Sequence, residues 1–295
     1  MLPSDATPPT AIVTENVRLS KHTSVRVGGP ARYFSTPTHA REVIETLAWA
    51  KRSMLDVLPL GCGTNVLVRD RGVDGVVVSL KNIHGVEPHG ERWTVTAGES
   101  LSRVAQDACE QGLSGLEWAC GIPGTIGGAV VMNSGAAGGC MADVVERVTC
   151  ALPNGPTTIP AATMAYAYRR SALLDGTIDG VVTEVELRLV RSTPERATAK
   201  ARSVLSLRTE RIPVGASFGS AFRNPPDGSA AGRLLDRAGC KGLREGDAVV
   251  STQHANFIIN EAAATSAQII RLLERMKARV RDRFDIELQE EVVIV

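Results

Sequence analysis

The feature that most restricts how this chain can fold is a glycine-rich stretch near its centre, residues 121–139. Seven of the 28 glycines of the chain fall within these 19 residues. Each glycine costs backbone entropy on folding, so such a density needs a structural reason. A flexible linker is disfavoured because Ile122, Ile126, Val130 and Val131 are apolar, whereas linkers are polar. The stretch therefore predicts buried, irregular backbone wrapped against a flat or anionic cofactor.

A second glycine loop, Gly61-Cys-Gly-Thr-Asn65, follows the apolar segment Val57–Leu60, which is predicted to be a strand. Glycines after a strand let backbone N–H groups approach a phosphate closely. The loop is not a dinucleotide fingerprint, because Val66 breaks the glycine spacing and a strand rather than a helix is predicted to follow. It is not a P-loop either, and alone it would more often be an ordinary turn. Together, two glycine-rich loops on neighbouring units suit a dinucleotide whose pyrophosphate is held by backbone N–H groups.

Composition and length exclude several classes of protein. The 295 residues suggest two or three domains, and a hydrophobic content of 43% is enough for a proper core. A net charge of +1 argues against binding nucleic acid by bulk electrostatics. No apolar run reaches the ~20 residues of a membrane span, and residues 1–9 lack the pattern of a secretory signal. The six cysteines form no Cys-x-x-Cys pair, so we expect reduced thiols, no zinc ribbon and a cytoplasmic protein.

Periodicity and turn residues predict a mixture of helices and strands, and hence an α+β fold. Helices are predicted after a Thr38 cap, between a Ser100 cap and Gly112, from Pro194 to about Leu207, and along the apolar stripe Ile269, Leu272, Leu273, Met276 and Val280. Strands are predicted at 57–60, 66–68, 76–80, 93–96 and around 185–189, with a hairpin turn at Asn154-Gly155 and a terminal strand over 286–295. Two linked halves precede residue 193 and a third unit follows it.

A hydrolase motif is also present. Gly215-Ala-Ser217-Phe-Gly219 matches the Gly-x-Ser-x-Gly nucleophile elbow, and His254 lies downstream. The elbow requires a strand before the serine and a helix after it. Pro213 lies shortly before the motif and Pro225 shortly after it, which disfavours both. A serine hydrolase using Ser217 and His254 therefore remains only an alternative hypothesis.

Several motifs of this chain are similar to those of one protein family and occur in the same order. They are His22-Thr-Ser-Val-Arg-Val-Gly-Gly29, Leu60–Val68, Gly115-Leu-Glu-Trp118, Gly121–Gly135, Tyr168-Arg-Arg-Ser171, Gly219-Ser-Ala-Phe-Arg-Asn-Pro225, Ala238-Gly-Cys-Lys-Gly242, His254-Ala-Asn-Phe-Ile-Ile-Asn260 and Glu291-Val292. From about Asn16 to Val295, the chain resembles the UDP-N-acetylenolpyruvoylglucosamine reductases, flavoenzymes of bacterial peptidoglycan precursor synthesis. The segment between Tyr168 and Thr193 is short, so the chain resembles the shorter form that lacks an inserted tyrosine loop.

The resemblance implies a fold, cofactors and partners. Two α+β subdomains of the PCMH type, residues 1–85 and 86–193, would clamp FAD. A third α+β domain, residues 194–295, would bind the substrate and return its C-terminal strand to the active site. FAD would be bound non-covalently, NADPH would be the reductant, and UDP-N-acetylglucosamine enolpyruvate would be reduced to UDP-N-acetylmuramate. The implied protein is a monomer without nucleic-acid or membrane partners.

The resemblance also implies roles for individual residues. Ser220 would be the proton donor, with Arg169 and Glu291 as the other two catalytic groups, while hydride would come from flavin N5. The implied FAD contacts are Gly61, Cys62, Gly63, Thr64, Asn65, Val66, Leu67, Gly121, Pro123, Gly124, Thr125, Gly127, Gly128, Ala129, Asn133 and Gly135. The implied substrate contacts are Tyr168, Arg208, Arg211, Asn224, Lys241 and His254, and no metal is implied.

Three positions depart from the family pattern. Arg223 stands where a lysine is usual, Ile212 where many members have glutamine, and Val293 where an arginine usually follows Glu-Val. These departures concern recognition of the diphosphate rather than the reaction. A further alternative is a flavin-binding protein without catalytic activity. Such a protein could lose the three catalytic residues, whereas this chain has Ser220, Arg169 and Glu291.

Overall fold

The computed structural model describes residues 8–9 and 12–295. The chain divides into two compact units. Unit 1 comprises the residues up to 15 together with 33–62 and 74–208, and unit 2 comprises 16–32, 63–73 and 209–295. The predicted absence of a secretory signal concerns residues 1–9, which lie mostly outside the described residues. The boundaries at 85 and 193 stay a prediction.

Helices and strands are mixed along the chain, which confirms the predicted α+β class. The helices are α1 (Ala40–Arg52), α2 (Leu101–Glu110), α3 (Ile126–Val131), α4 (Pro194–Arg211), α5 (Ala231–Arg237) and α6 (Ser266–Phe284). The strands are β1 (Val13–Arg18), β2 (Pro30–Ser35), β3 (Val57–Leu60), β4 (Val66–Leu67), β5 (Val73–Ser79), β6 (Val86–His89), β7 (Arg92–Thr96), β8 (Leu113–Ser114), β9 (Gly135–Ala136), β10 (Gly139–Cys140), β11 (Val145–Leu152), β12 (Gly155–Pro160), β13 (Val181–Arg188), β14 (Val190–Arg191), β15 (Arg244–Glu245), β16 (Ala248–Val250), β17 (Ile258–Asn260) and β18 (Val293–Ile294). No helix among the described residues combines the length and apolar character needed to cross a bilayer.

The core of unit 1 lies on an antiparallel sheet with the strand order β12-β11-β13-β7-β6. The hairpin between β11 and β12 places Leu152 opposite Gly155, as the Asn154-Gly155 dipeptide predicts. On β13, Val185 and Leu187 are fully buried between half-buried or exposed charged neighbours, which confirms the predicted alternation. Strands β3 and β5 pair in parallel, and Val76 and Val78 of β5 belong to the same hydrophobic core.

The helix starts follow the capping residues closely, with one correction. Ser100 caps α2 by accepting from the N–H of Arg103, as predicted, and Pro194 is the first residue of α4. The predicted Thr38 cap is wrong. His39 is the N-cap of α1, with its Nδ1 accepting from the N–H of Glu42, while the backbone N–H and hydroxyl of Thr38 both bond the Glu42 carboxylate.

The glycine-rich stretch is less irregular than predicted, because part of it is the short helix α3. Thr125 caps this helix by accepting from the N–H of Gly128 at 3.3 Å. The N–H groups of Ile126 and Gly127 bond the carbonyls of Glu99 and Ala97, at 2.9 Å each. External partners therefore satisfy the first turn, which lets a glycine-containing segment become helical.

Unit 2 packs α5 and α6 against a sheet with the strand order β15-β16-β17. The predicted apolar stripe of α6 is confirmed, since Ile269, Leu272, Leu273, Met276 and Val280 are all buried. The predicted terminal strand over 286–295 is too long. Only Val293–Ile294 forms a strand, because its parallel partner β4 is itself two residues long.

Candidate active site

In unit 1, the two predicted glycine loops meet at Gly61 and Thr125. A Cβ added at Gly61 would lie 2.5 Å from the Oγ1 of Thr125, the oxygen that caps α3. Thr125 itself is 3% exposed. Any side chain at position 61 would therefore displace the cap that holds the second loop. The structure brings together two motifs that the sequence places about sixty residues apart.

In the central stretch, most glycines are required by close packing or by a positive φ, and one is not. Gly127 packs on Ala97, where an added Cβ would lie 2.8 Å from the alanine Cβ. Gly135 packs on Cys140 in the β9–β10 hairpin, and Gly124 has a φ of +141° that disfavours any side chain. Gly128 is different, because it is exposed and a Cβ would make only an ordinary contact of 3.5 Å with Thr125. Since a helical glycine is costly relative to alanine, an exposed one suits a surface on which a flat ligand lies. This feature fits a bound flavin nucleotide.

Arg169 lies at the tip of a tight turn in unit 1. Ala167 and Arg170 exchange two backbone hydrogen bonds, of 3.2 and 3.0 Å, so Tyr168 and Arg169 are the two central residues. Arg169 has a φ of +54°, which is costly for a residue with a Cβ. Its guanidinium donates through Nη1 to the carbonyl of Asn133 and through Nη2 to that of Gly135. The predicted catalytic arginine is thus tied to the glycine-rich stretch.

In unit 2, three motifs converge around Ser24. Its Oγ lies 2.6 Å from the carbonyl oxygen of Ser217 and 3.1 Å from that of Gly63. Gly63 has a φ of +62°, and a Cβ there would collide with the carbonyl of His22. The motif beginning at His22, the loop after residue 61 and the segment around Ser217 therefore pack on one another.

Ser220 and Glu291 lie on neighbouring segments of unit 2. Ser220 forms an isolated antiparallel bridge with Phe257, and the N–H of Glu291 donates to the carbonyl of Ala221 at 2.8 Å. The amide of Asn65 donates to the carbonyl of Glu291 at 3.0 Å. Ser220 and Glu291 are both half-buried. The structure thus holds two of the three predicted catalytic residues beside each other, with a predicted cofactor contact bonded to one of them.

Sequence reasoning passed over Asn256, which fixes the segment after Ser220. Its Oδ1 accepts from the N–H of Phe222 at 2.9 Å, its Nδ2 donates to the carbonyl of Phe222 at 2.8 Å, and its carbonyl accepts from Ala221. The side chain therefore pairs both backbone polar groups of Phe222, as a neighbouring strand would. The available signal was an asparagine among apolar residues, which must find partners when buried.

His254 lies in a cationic environment in unit 2. Burial lowers the pKa of its imidazole, and the charges of Lys241 and Arg211 lower it further, while Asp236 opposes them. Its Nδ1 accepts from the N–H of Asn256 at 3.2 Å, an arrangement that assigns the proton to Nε2. Gly232 makes room for the ring, since a Cβ there would lie 2.8 Å from the imidazole Cε1. A neutral donor beside two cations is suited to an anionic ligand.

The other predicted contacts occupy varied environments. Arg208 belongs to unit 1, where it lies beside Gly121 and burial lowers the pKa of its guanidinium. Tyr168 is 52% exposed, with the Arg169 guanidinium 5.2 Å from its ring centre. The Oδ1 of Asn224 accepts from the N–H of Ala231, the first residue of α5, at 3.0 Å, and the side chain of Leu67 is buried in the core of unit 2. The roles of these residues stay predictions.

Two features are not found among the described residues, a cluster of metal ligands and the geometry of a serine hydrolase. No group of three or more His, Cys, Asp or Glu side chains among them could hold a metal ion, and all six cysteines are free thiols. After Ser217 the chain continues through bends and isolated bridges, and the next helix begins only at Ala231. The strand–serine–helix arrangement of a nucleophile elbow is therefore absent from this part of the chain.

Comparison with known proteins agrees with this geometry. Residues 31–159 match the FAD binding domain family, and residues 211–295 match the family described as the UDP-N-acetylenolpyruvoylglucosamine reductase C-terminal domain. The chain is 40% identical over 288 residues to the UDP-N-acetylenolpyruvoylglucosamine reductase of Chloroflexus aggregans, covering 95% of this chain and 96% of the relative. It is 41% identical over 280 residues to that of Gloeobacter violaceus, covering 94% of each.

A solved structure is similar over the same extent. The crystal structure of UDP-N-acetylenolpyruvylglucosamine reductase from Thermus caldophilus superposes with a TM-score of 0.81 at 34% identity, covering 95% of this chain and 98% of that one. The FAD-binding domain and its C-terminal partner define a flavin-dependent oxidoreductase. At this identity and coverage, the chain belongs to the UDP-N-acetylenolpyruvoylglucosamine reductase family, which confirms the family resemblance read from the sequence.

Proposed function

We propose that this protein reduces UDP-N-acetylglucosamine enolpyruvate to UDP-N-acetylmuramate with NADPH and bound FAD, in the synthesis of peptidoglycan precursors. Family membership over 95% of the chain supports the reaction. The observation that carries the assignment to residues is the hydrogen bond from Glu291 to Ala221, which holds Glu291 beside Ser220. A cytoplasmic, monomeric protein is part of the proposal, and gel filtration tests the oligomeric state.

The residues that would hold FAD are the loop at Gly61–Asn65 and the stretch around α3. Gly128 supports this assignment, because its exposed face is open and nothing in the protein requires glycine there. When bound, FAD supplies a carrier that accepts hydride from NADPH and passes it to the enolpyruvyl carbon. The chain's own residues bind the substrate, stabilise charge and move the proton.

Arg169 would stabilise the negative charge that develops on the carboxylate side of the enolpyruvyl group. A guanidinium is always charged and needs no proton transfer to act. Its fixed position between the carbonyls of Asn133 and Gly135 supports this role, because preorganised charge costs no reorganisation during the reaction. Glu291 would stabilise the same charge if its carboxyl were held protonated in a dry site.

Ser220 would donate the proton that completes the lactyl ether. A hydroxyl is a weak acid, but the enolate formed from the substrate is a strong enough base to take its proton when the two are aligned. The bridge to Phe257 on one side and the Asn256 contacts to Phe222 fix the backbone around Ser220. His254, Lys241 and Arg211 would bind the diphosphate and carboxylate groups of the substrate.

The absorption spectrum of the purified protein tests the proposal. A yellow protein whose flavin is bleached by NADPH, and recovers without oxygen when the enolpyruvyl substrate is added, has the proposed activity. A colourless protein with esterase activity would instead support the hydrolase using Ser217 and His254. A yellow protein that does not react with the enolpyruvyl substrate would be a flavin-binding protein of another function.

A further inference from the structure

The turn that carries Arg169 depends on a side chain from the glycine-rich stretch. The Nδ2 of Asn133 donates to the carbonyl of Ala167, the first residue of the turn, at 2.9 Å. Its Oδ1 accepts from the N–H of Ala142 at 3.0 Å. Its backbone carbonyl accepts from the Nη1 of Arg169 at 3.3 Å. One residue therefore contacts the start of the turn, the backbone at Ala142 and the Arg169 guanidinium.

The conformation and burial of Asn133 are specific to this arrangement. Its φ is +42°, a left-handed value that asparagine tolerates better than most residues, and the residue is only 5% exposed. A buried amide must be hydrogen-bonded at both ends, and here the protein provides a partner for the oxygen and for the nitrogen. The side chain is thus engaged with the protein rather than directed at a ligand.

A second contact fixes the far end of the same turn. The hydroxyl of Ser171, which is fully buried, donates to the carbonyl of Val131 at 2.6 Å and accepts from the N–H of Leu174. The segment 167–171 is therefore attached to the glycine-rich stretch at both ends. Arg169 lies between the two attachments, so its left-handed backbone is held in place from outside the turn.

We propose that Asn133 is a positioning residue for Arg169, and that it contributes to the reaction through the arginine rather than through a side-chain contact with FAD. This inference rests on the proposed function, in which Arg169 stabilises the charge that develops on the substrate. Loss of the Asn133 amide frees the start of the turn, and the guanidinium then spends less time where that charge forms. A displacement of about 1 Å at a reacting centre can cost ~10²-fold in rate.

The first test separates the two half-reactions in Asn133→Gly and Asn133→Asp by stopped-flow absorbance. Glycine accepts the positive φ but removes both side-chain bonds, and aspartate keeps the acceptor for Ala142 while losing the donor to Ala167. We expect reoxidation by the enolpyruvyl substrate to slow about 10- to 100-fold in Asn133→Gly, and less in Asn133→Asp. Flavin reduction by NADPH should be unchanged in both.

Two binding measurements accompany the rates. The FAD dissociation constant of the apoprotein, and the substrate dissociation constant of the oxidised enzyme without NADPH, should both stay near the wild-type values, because the arginine acts on charge that forms only during the reaction. If Asn133→Gly instead weakens FAD binding and slows both half-reactions, Asn133 contacts the cofactor and the positioning role is wrong.

A double-mutant cycle with Arg169→Ala gives the sharpest outcome. If Asn133 acts through Arg169, then Asn133→Gly should slow reoxidation no further once the arginine is absent. Additive losses would show an independent role and overturn the inference. If Arg169→Ala alone leaves reoxidation unaltered, the catalytic assignment of the arginine fails and the inference fails with it. If only Arg169→Ala has an effect, the positioning role alone is wrong.

Asn260→Ala provides a matched control for lost stability. Asn260 is 7% exposed and also links two backbone groups, donating to the carbonyl of Val25 and accepting from the N–H of Ala264. We expect a similar loss of thermal stability without a selective loss of reoxidation. A selective loss in this control equal to that of Asn133→Gly would contradict the proposal.

Discussion

The N–H of Glu291 donates to the carbonyl oxygen of Ala221 at 2.8 Å, which places the C-terminal segment of the chain beside Ser220. A second bond runs in the opposite direction, from the N–H of Arg223 to the carbonyl of Gln289 at 2.9 Å, so the two segments pair as an antiparallel bridge at Phe222 and Glu290. On the opposite side, Asn256 bonds Phe222 through its side chain. The position of Ser220 is therefore fixed by segments from both sides, and its chemistry can be tested with small substitutions.

Replacing Ser220 by alanine should separate the two half-reactions. The change removes one oxygen and leaves the backbone bridge to Phe257 intact, so folding should be little affected. Flavin reduction by NADPH should keep its normal rate, while reoxidation by the enolpyruvyl substrate should fall by ~10²–10⁴-fold or more, the usual contribution of a general acid. Stopped-flow absorbance measures both rates. Ser220→Cys should recover part of the activity, because a thiol also donates a proton.

Ser217→Ala is the matched control for this prediction. The structure uses the carbonyl of Ser217, which lies 2.6 Å from the Ser24 hydroxyl, and the substitution preserves that carbonyl. Both half-reactions should be close to normal. If Ser220→Ala slows both halves equally and modestly, Ser220 only stabilises a turn and is not the proton donor.

Replacing Gly128 by alanine should dissociate stability from cofactor binding. The position is exposed on α3, and an added Cβ makes only an ordinary contact. The apoprotein should be as stable as wild type or up to about 1 kcal/mol more stable, since alanine is the better helix former. FAD binding should nevertheless weaken, and more strongly in Gly128→Val.

Gly127→Ala should lower the stability of the apoprotein, in contrast to Gly128→Ala. Its Cβ would lie 2.8 Å from that of Ala97, so thermal unfolding should shift to lower temperature. Apoprotein melting curves and fluorescence titration with FAD measure the two quantities. Full FAD loading of Gly128→Val on purification would show that the flavin does not lie on this face.

Protonation of His254 should destabilise the folded protein in mildly acidic solution. Burial, with Lys241 and Arg211, lowers the pKa of its imidazole below the ordinary value of 6.5, despite the opposing charge of Asp236. The unfolded state then binds more protons than the folded state, so stability falls as the pH decreases through about 6.5 toward the folded pKa. Above about 7 the imidazole is neutral in both states and the dependence ends.

His254→Gln should remove this part of the pH dependence. Urea unfolding of both proteins between pH 5 and pH 8 isolates the contribution, because the carboxyl groups titrate equally in the two. We expect the variant to lose less stability than wild type between pH 7.5 and pH 5.5. Identical pH slopes would contradict the lowered pKa.

Lys241→Ala should raise the KM for the enolpyruvyl substrate. Its Nζ is 2.8 Å from Asp236 and its charge lowers the pKa of His254, so the ammonium is held near an imidazole that is proposed to bind the same substrate. A hydrogen bond to a charged group contributes about 1.5–3 kcal/mol, which corresponds to a tenfold or greater rise in KM. Flavin bleaching by NADPH should not change.

Arg244→Ala is a suitable control for Lys241→Ala. Arg244 is another cation of unit 2 and is paired with Glu261 at the surface, so its loss should leave KM unchanged. An equal rise in both variants would indicate general electrostatic attraction rather than a specific contact.

Local chemistry was sufficient to predict much of the fold. Ser100, Pro194 and Gly155 occupy the cap, first-turn and hairpin positions that their residue types favour, and the α6 stripe is buried as its spacing predicts. Each of these features depends on interactions within a few residues, which a sequence displays directly. One failure is also local in origin. His39 replaced Thr38 as a cap because the polar groups of Thr38 were taken by Glu42.

The sequence by itself determined the family, the cofactor class and the types of residue available for catalysis, because these are carried by residue identities in a fixed order. Only the tertiary structure decided which glycines serve packing and which leaves a surface open, and that Asn133 and Asn256 hold the segments bearing Arg169 and Ser220. Those contacts join residues 34 positions apart in sequence. Hydrogen bonds over such separations depend on how the backbone folds back on itself, and no local pattern records that.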